Sequence, residues 1–136
     1  MCLKGVKKQR MPEQVLIYNL TRPSTPPTQA RYCSSFVCRL RGLTFRRRLP
    51  SADGLLLVQS RDSRVDSSIH MLFVWIDLAV VWITDGGEVV DVRLARRWRP
   101  AYFPRRPARY VLEMAVAHLE DFHIGDKVRL EETHPG

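Results

Sequence analysis

The stretch that decides the fold runs from Ser68 to Leu94 and reads SIHMLFVWIDLAVVWITDGGEVVDVRL. Its apolar runs are of strand length and rich in Val, Ile, Trp and Phe, residues that suit a pleated, half-buried surface. Residues 69–76 and 78–84 read as two central strands. Residues 88–94 alternate apolar and polar, as a half-exposed strand does. Asp85-Gly86-Gly87 supplies the hairpin turn between the second and third, because glycine takes positive φ at little cost. His70 and Asp77 are the polar side chains of this apolar stretch. An ionised carboxylate buried without a partner costs several kcal/mol. Asp77 is therefore expected to face an arginine, another partner or water, and to carry a raised or strongly coupled pKa.

Working toward the N-terminus, residues 60–67 are polar and read as a loop, and Leu55–Gln59 (LLLVQ) is a strand. Ser34 and Ser35 offer an N-cap, Phe36, Val37 and Leu40 share a helical face, and Gly42 can close the element, which predicts a short helix over 34–41. Gln14–Leu20 is a strand, and 30–33 begins another. Between them lies TRPSTPPTQ, whose three prolines remove backbone donors and fix φ, so it connects rather than pairs. Toward the C-terminus, residues 95–108 (ARRWRPAYFPRRPA) form a long loop anchored through Trp98, Tyr102 and Phe103. A strand over 109–114, a short helix over 115–123, a turn at Ile124-Gly125-Asp126 and a last strand over 127–130 follow. The chain thus divides into a mobile basic lead-in (1–12), a single α+β domain (13–131) and a loose tail (132–136). The domain is strand-rich with two short helices.

Charge is unevenly spread. The 136 residues hold 22 Lys and Arg against 14 Asp and Glu, a net charge of +8. The lysines are only Lys4, Lys7, Lys8 and Lys127, so arginine carries most of the positive charge, and arginine favours phosphate or carboxylate partners. No acid lies between Asp91 and Glu113, a stretch with seven arginines, whereas acids gather from Glu113 onward. One basic and one acidic face are expected. Cys2, Cys33 and Cys38 cannot all pair, and no His lies near them, so neither a zinc site nor a disulfide is expected. The first residues lack the apolar core of a signal peptide, and the apolar run from Met71 to Ile83 is too short to span a bilayer. These features predict a soluble cytoplasmic protein with neither metal nor cofactor.

With the motifs placed, the chain resembles the domain of unknown function 192 family of small bacterial and archaeal proteins, over about Val15 to Leu130. The resemblance rests on Arg39, Gly42-Leu43, Arg46, Leu49 and Gly54, then Ser68-Ile69-His70, Trp98-Arg99, Leu112-Glu113 and Gly125-Asp126, in that order. Where the family has Pro, an aliphatic residue and Asp, this chain has Asp77, Leu78 and Ala79. The resemblance implies a compact strand-rich α+β domain close to a small barrel, and no accepted activity.

The site residues that the sequence singles out are Arg39, His70, Trp98, Arg99, Arg105 and Arg106. Arginine side chains can clamp an anion. Arg39, Arg41 and Arg46 can equally close ion pairs with Glu113 or Asp77. His70, at the start of a strand, can act as an acid or base, or bond to backbone beneath the next loop. No nucleophile or carboxylate is placed beside it by spacing, so no catalytic set is assigned. The 96–109 segment interleaves rings and guanidinium groups, with Arg96, Arg97, Arg99, Arg105 and Arg106 expected to face solvent and Trp98 to be buried. The leading reading is a non-catalytic binding or accessory domain with an anion-attracting face. The alternatives are a small enzyme using His70 with a nearby carboxylate, and a binder of single-stranded nucleic acid through rings that stack on bases.

Overall fold

The computed structural model describes residues 14–34, 54–71 and 74–133. The predicted helix after Ser34, its Gly42 cap, the lead-in and Arg39, Arg41 and Arg46 lie outside them. The described residues build seven strands: β1 (Gln14–Asn19), β2 (Thr28–Cys33), β3 (Gly54–Ser63), β4 (Leu78–Ile83), β5 (Val89–Ala95), β6 (Ala108–Met114) and β7 (Val128–Thr133). One sheet contains all of them, in the order β5-β4-β6-β3-β2-β1-β7. Only β2 and β3 run parallel. The helix expected over 115–123 is a single 3-10 element, Val116–Asp121.

β4 explains why the sequence reads as it does. It is flanked by β5 on one side and β6 on the other, and all six of its residues are buried. A strand covered on both faces needs no polar alternation, hence the unbroken LAVVWI. Alternate residues feed two cores. Val15, Ile17, Leu56, Val81, Leu112 and Phe122 fill the inner side of the curled sheet. Leu55, Leu57, Val80, Trp82 and Val111 fill the outer side, where Ile69, Met71 and Val74 pack on them from a loop.

That loop corrects the reading of 69–76 as a strand. Both edges of β4 are already taken, by β5 and β6, so 69–76 cannot pair beside it. Ile69 makes an isolated bridge with Tyr102, and Met71 donates to the carbonyl of Arg99 (2.9 Å). The apolar side chains still reach the core, while their backbone pairs with another loop. β3, in turn, runs through Ser60–Ser63, which the polarity of these residues had suggested to be a loop; an irregular register between Val58 and Ser63 carries it to the edge of β6.

The sheet curls until its two ends touch, but it does not close into a barrel. β5 and β7 lie at opposite ends of the strand order and meet at one bridge, Glu88↔Lys127. Val128 donates to the carbonyl of Gly87 (2.8 Å) and Val89 to that of Asp126 (2.9 Å) across this seam. The expected Asp85-Gly86-Gly87 turn is present, with Gly87 at φ 87°. Asp126, in the Gly125-Asp126 turn, pins the seam from below. It accepts from Asn19 Nδ2 (2.8 Å), Arg22 Nε (3.0 Å) and the His123 backbone (2.9 Å). Burial opposes its charge, and these three donors outweigh burial to hold its carboxyl below the usual range.

A second correction concerns Cys33. It ends β2 in the outer core and is disulfide-bonded, against the expectation of reduced thiols. Its partner lies outside the described residues. Whether two thiols meet is decided by the fold, and an argument from compartment could not see it. Among the described residues no helix is long and apolar enough to cross a membrane.

Candidate functional site

The 95–108 segment is a second layer laid over the outer core. Four anchors fix it. Tyr102 exchanges backbone bonds with Ile69 (2.8 and 3.0 Å), and its hydroxyl accepts from the Arg96 backbone (2.9 Å). The Arg97 backbone and its Nε both donate to Asp77 Oδ1, at 2.8 and 3.2 Å. The Arg105 backbone donates to the buried Asp91 (3.0 Å). Arg64 Nε donates to the carbonyl of Pro104 (2.9 Å).

Asp77 is thus the capping group of the arginine loop. The Arg97 backbone N–H, then its side chain, hold the Asp77 carboxyl below the ordinary range, although partial burial opposes this. Of the two expectations for Asp77, a raised or a strongly coupled pKa, the raised one is overturned, since Asp77 sits at the rim of the core and has the arginine partner expected of it.

Fixing Arg97 presents Trp98. Trp98 stands at φ 67°, the one non-glycine residue with positive φ among those described. For so bulky a side chain this backbone is strained. Its N–H donates to the carbonyl of Met71 (2.8 Å). Its ring meets Trp75 edge to face, with centroids 5.0 Å apart and planes at 90°. The two rings are 40% and 39% exposed. The burial expected of Trp98 is therefore corrected: Tyr102, half-buried against the outer core, is the anchor, and Trp98 is displayed. Trp75 was hidden in the sequence by its membership of an apparent strand.

The arginines are exposed as expected, but most are already engaged. Arg97 pairs with Asp77, Arg105 (3.9 Å) and Arg93 (2.8 Å) with Asp91, Arg106 with Glu88 (4.0 Å) and Arg109 with Asp85 (2.7 Å). The stretch that is acid-free in sequence is not acid-free in space, because Asp77 ahead of β4, Asp91 in β5 and Asp85 and Glu88 of the hairpin turn meet it. Arg96 and Arg99 have no ion pair among the described residues. They bracket the Arg97-Trp98 pair in sequence and are joined by a backbone bond, the Arg99 N–H donating to the Arg96 carbonyl (3.4 Å).

His70 is exposed on the loop beside this layer, and among the described residues no carboxylate bonds to its ring. Among the described residues, His, Cys, Asp and Glu form no group of three that could hold a metal ion. The structure therefore brings Trp98 and Trp75 together, places Arg96 and Arg99 on the turn of chain that carries Trp98, pairs Arg105 and Arg106 with Asp91 and Glu88, and leaves His70 exposed. Glu113 is the remaining surprise. It is buried on the outer face in register with Leu55 and Val80, and desolvation pushes its carboxyl up to about 7.

These features define a β-rich domain of one curled sheet, whose exposed chemistry is carried by a loop layer. The chain belongs to the domain of unknown function 192 family, described as an uncharacterized ACR, which matches residues 19–130. It is 33% identical over 120 residues to a UPF0127 protein of Thermococcus gammatolerans, covering 87% of this chain and 76% of that one. A UPF0127 protein of Pyrococcus furiosus is 30% identical over 112 residues, covering 81% and 93%. Among solved structures, a putative transcription regulator from Sinorhizobium meliloti 1021 shares the fold with TM-score 0.73 at 18% identity, covering 93% of this chain and 97% of that one. A protein of unknown function from Novosphingobium aromaticivorans does so with TM-score 0.71 at 16% identity, covering 85% and 83%. At these identities the two structures speak to fold alone.

Proposed function

We propose that the protein is a non-catalytic binding domain whose working surface is the Trp75–Trp98 pair with Arg96 and Arg99, and whose ligand is anionic. The observation that carries this reading is the display of two large rings in contact, one of them Trp98 on strained backbone, on a turn whose Arg96 and Arg99 have no ion pair among the described residues. Strain at a non-glycine residue persists only where the surroundings enforce it, and it concentrates at working sites. Exposed aromatic surface of this kind marks contact surfaces more often than it serves stability.

A second reading, single-stranded nucleic acid, is favoured by the juxtaposition itself, since rings stack on bases while guanidinium groups neutralise phosphates. Retention on heparin and binding of a short single-stranded oligonucleotide, at low and at moderate salt, test both. Two neutralised phosphates predict roughly tenfold weaker binding between ~50 and ~200 mM salt. Replacing Arg96 and Arg99 by Ala should abolish retention. Oligonucleotide binding that exceeds heparin binding and is lost in Trp98→Ala selects the nucleic-acid reading. Absence of any retention at low salt overturns both.

A further inference from the structure

A second site lies away from the arginine loop. Where β6 and β7 face each other across the inner side of the curled sheet, they leave a groove of about 490 Å³. That volume is in the range of small-molecule sites, which favour the mouths of curled and closed sheets. Its apolar lining is Val15 and Leu130, and Tyr32 and Tyr110 add two aromatic rings.

The charges in the groove decide its ligand. Arg109 is spent: its Nη1 donates to Asp85 (2.7 Å) and to the Tyr110 hydroxyl (3.1 Å), and its Nε to the carbonyl of Gln59 (2.8 Å). Glu131 pairs with Arg129 at 3.6 Å. Glu132 has no ion pair among the described residues, although it lines the same groove. In a chain of net charge +8, the uncompensated charge of this groove is negative.

We infer that the groove binds a small organic cation, an amine or guanidine on a flat apolar body, with its charge at Glu132 and its body against Tyr32, Tyr110 and Leu130. Tyrosine rings favour such a ligand twice, by apolar contact and by attraction of the cation to their faces. Burial pushes both phenols above their usual range, with the charge of Glu132 adding to it at Tyr32, so they stay neutral hydrogen-bonding groups. Nothing in this inference depends on the function proposed for the tryptophan pair.

The test is an NMR titration of the full chain with phenethylammonium, phenethyl alcohol and phenylacetate, which share a body and differ in charge. Phenethylammonium should shift the Tyr32, Tyr110 and Leu130 resonances saturably below ~10 mM, and phenylacetate should not. Glu132→Gln, an exposed isosteric change, should weaken the amine roughly twofold to fivefold and leave the alcohol unchanged. Tyr32→Leu should weaken both. No saturable shift with the amine, equal binding of phenylacetate, or an amine affinity unmoved by Glu132→Gln would each overturn the inference.

Discussion

Glu113 lies between Leu112 and Met114, which point inward, so its own carboxyl enters the outer core beside Leu55 and Val80. Desolvation lifts it from the ordinary 4.5 to about 7. Below that window the folded and unfolded chains both hold the proton. As pH rises through it, the unfolded chain gives up the proton first, so stability falls, and above it the loss is complete. The shift corresponds to ~3 kcal/mol. Glu113→Gln should therefore match the parent near pH 4 and exceed it near pH 8, by an amount thermal melts at the two pH values will read. A parent more stable than the variant at the higher pH would mean that Glu113 is held as a paired carboxylate. The sequence shows Glu113 as one acid of an alternating strand, but nothing local tells which face of that strand is dry. Trp98 is illegible for a related reason, because its exposure follows from backbone at φ 67°, which tertiary bonds from Asp77 and Met71 impose.

Among the elements, β4, β5 and the Asp85-Gly86-Gly87 turn were readable, since each rests on local chemistry: β-branched runs and a glycine at positive φ. The segment 69–76 was not. Its composition is that of a strand, and the pairing of β4 with both β5 and β6 leaves it no place beside the strand it precedes. Propensity sees the side chains' wish for burial and not the supply of sheet edges. The turn makes a sharp prediction about the seam. A Cβ on Gly87 would sit 2.6 Å from the Val128 carbonyl oxygen, at φ 87°. Gly87→Ala should cost about 2 kcal/mol or more in urea unfolding, from strained backbone and from the seam bond it pushes apart. Gly125→Ala is the control: it is also at positive φ (96°), but its Cβ meets nothing within 4 Å, so it should cost less. Equal costs would place the whole effect in φ and none in the seam.

For the whole molecule, net charge was legible and its distribution was not. The run of arginines from Arg93 to Arg109 suggested one basic face, but Asp77, Asp85, Glu88 and Asp91 come from outside the run to meet it. Of that run, Arg96 and Arg99, on the turn that carries Trp98, are left without an ion pair among the described residues. The disulfide at Cys33 is also a property of the whole fold. Reductant should lower the melting temperature by the equivalent of roughly 2–4 kcal/mol, and Cys33→Ser should remove that sensitivity. A melt indifferent to reductant would show the bond to be dispensable.

The tryptophan pair with Arg96 and Arg99 is the proposed binding surface, and the chain carries its own control. Trp82 is fully buried, with its indole N–H bonded to the Ser67 carbonyl at 2.8 Å, whereas Trp75 and Trp98 are displayed. Titrating the protein with a short heparin fragment or a single-stranded oligonucleotide at low salt, while following the three indole N–H resonances, reads the surface directly. Shifts at Trp75 and Trp98 that saturate, with Trp82 unmoved, and that disappear when Arg96 and Arg99 are both replaced by Ala, are the predicted result. Indole resonances that stay in place with both polyanions, or that all move together, would contradict it.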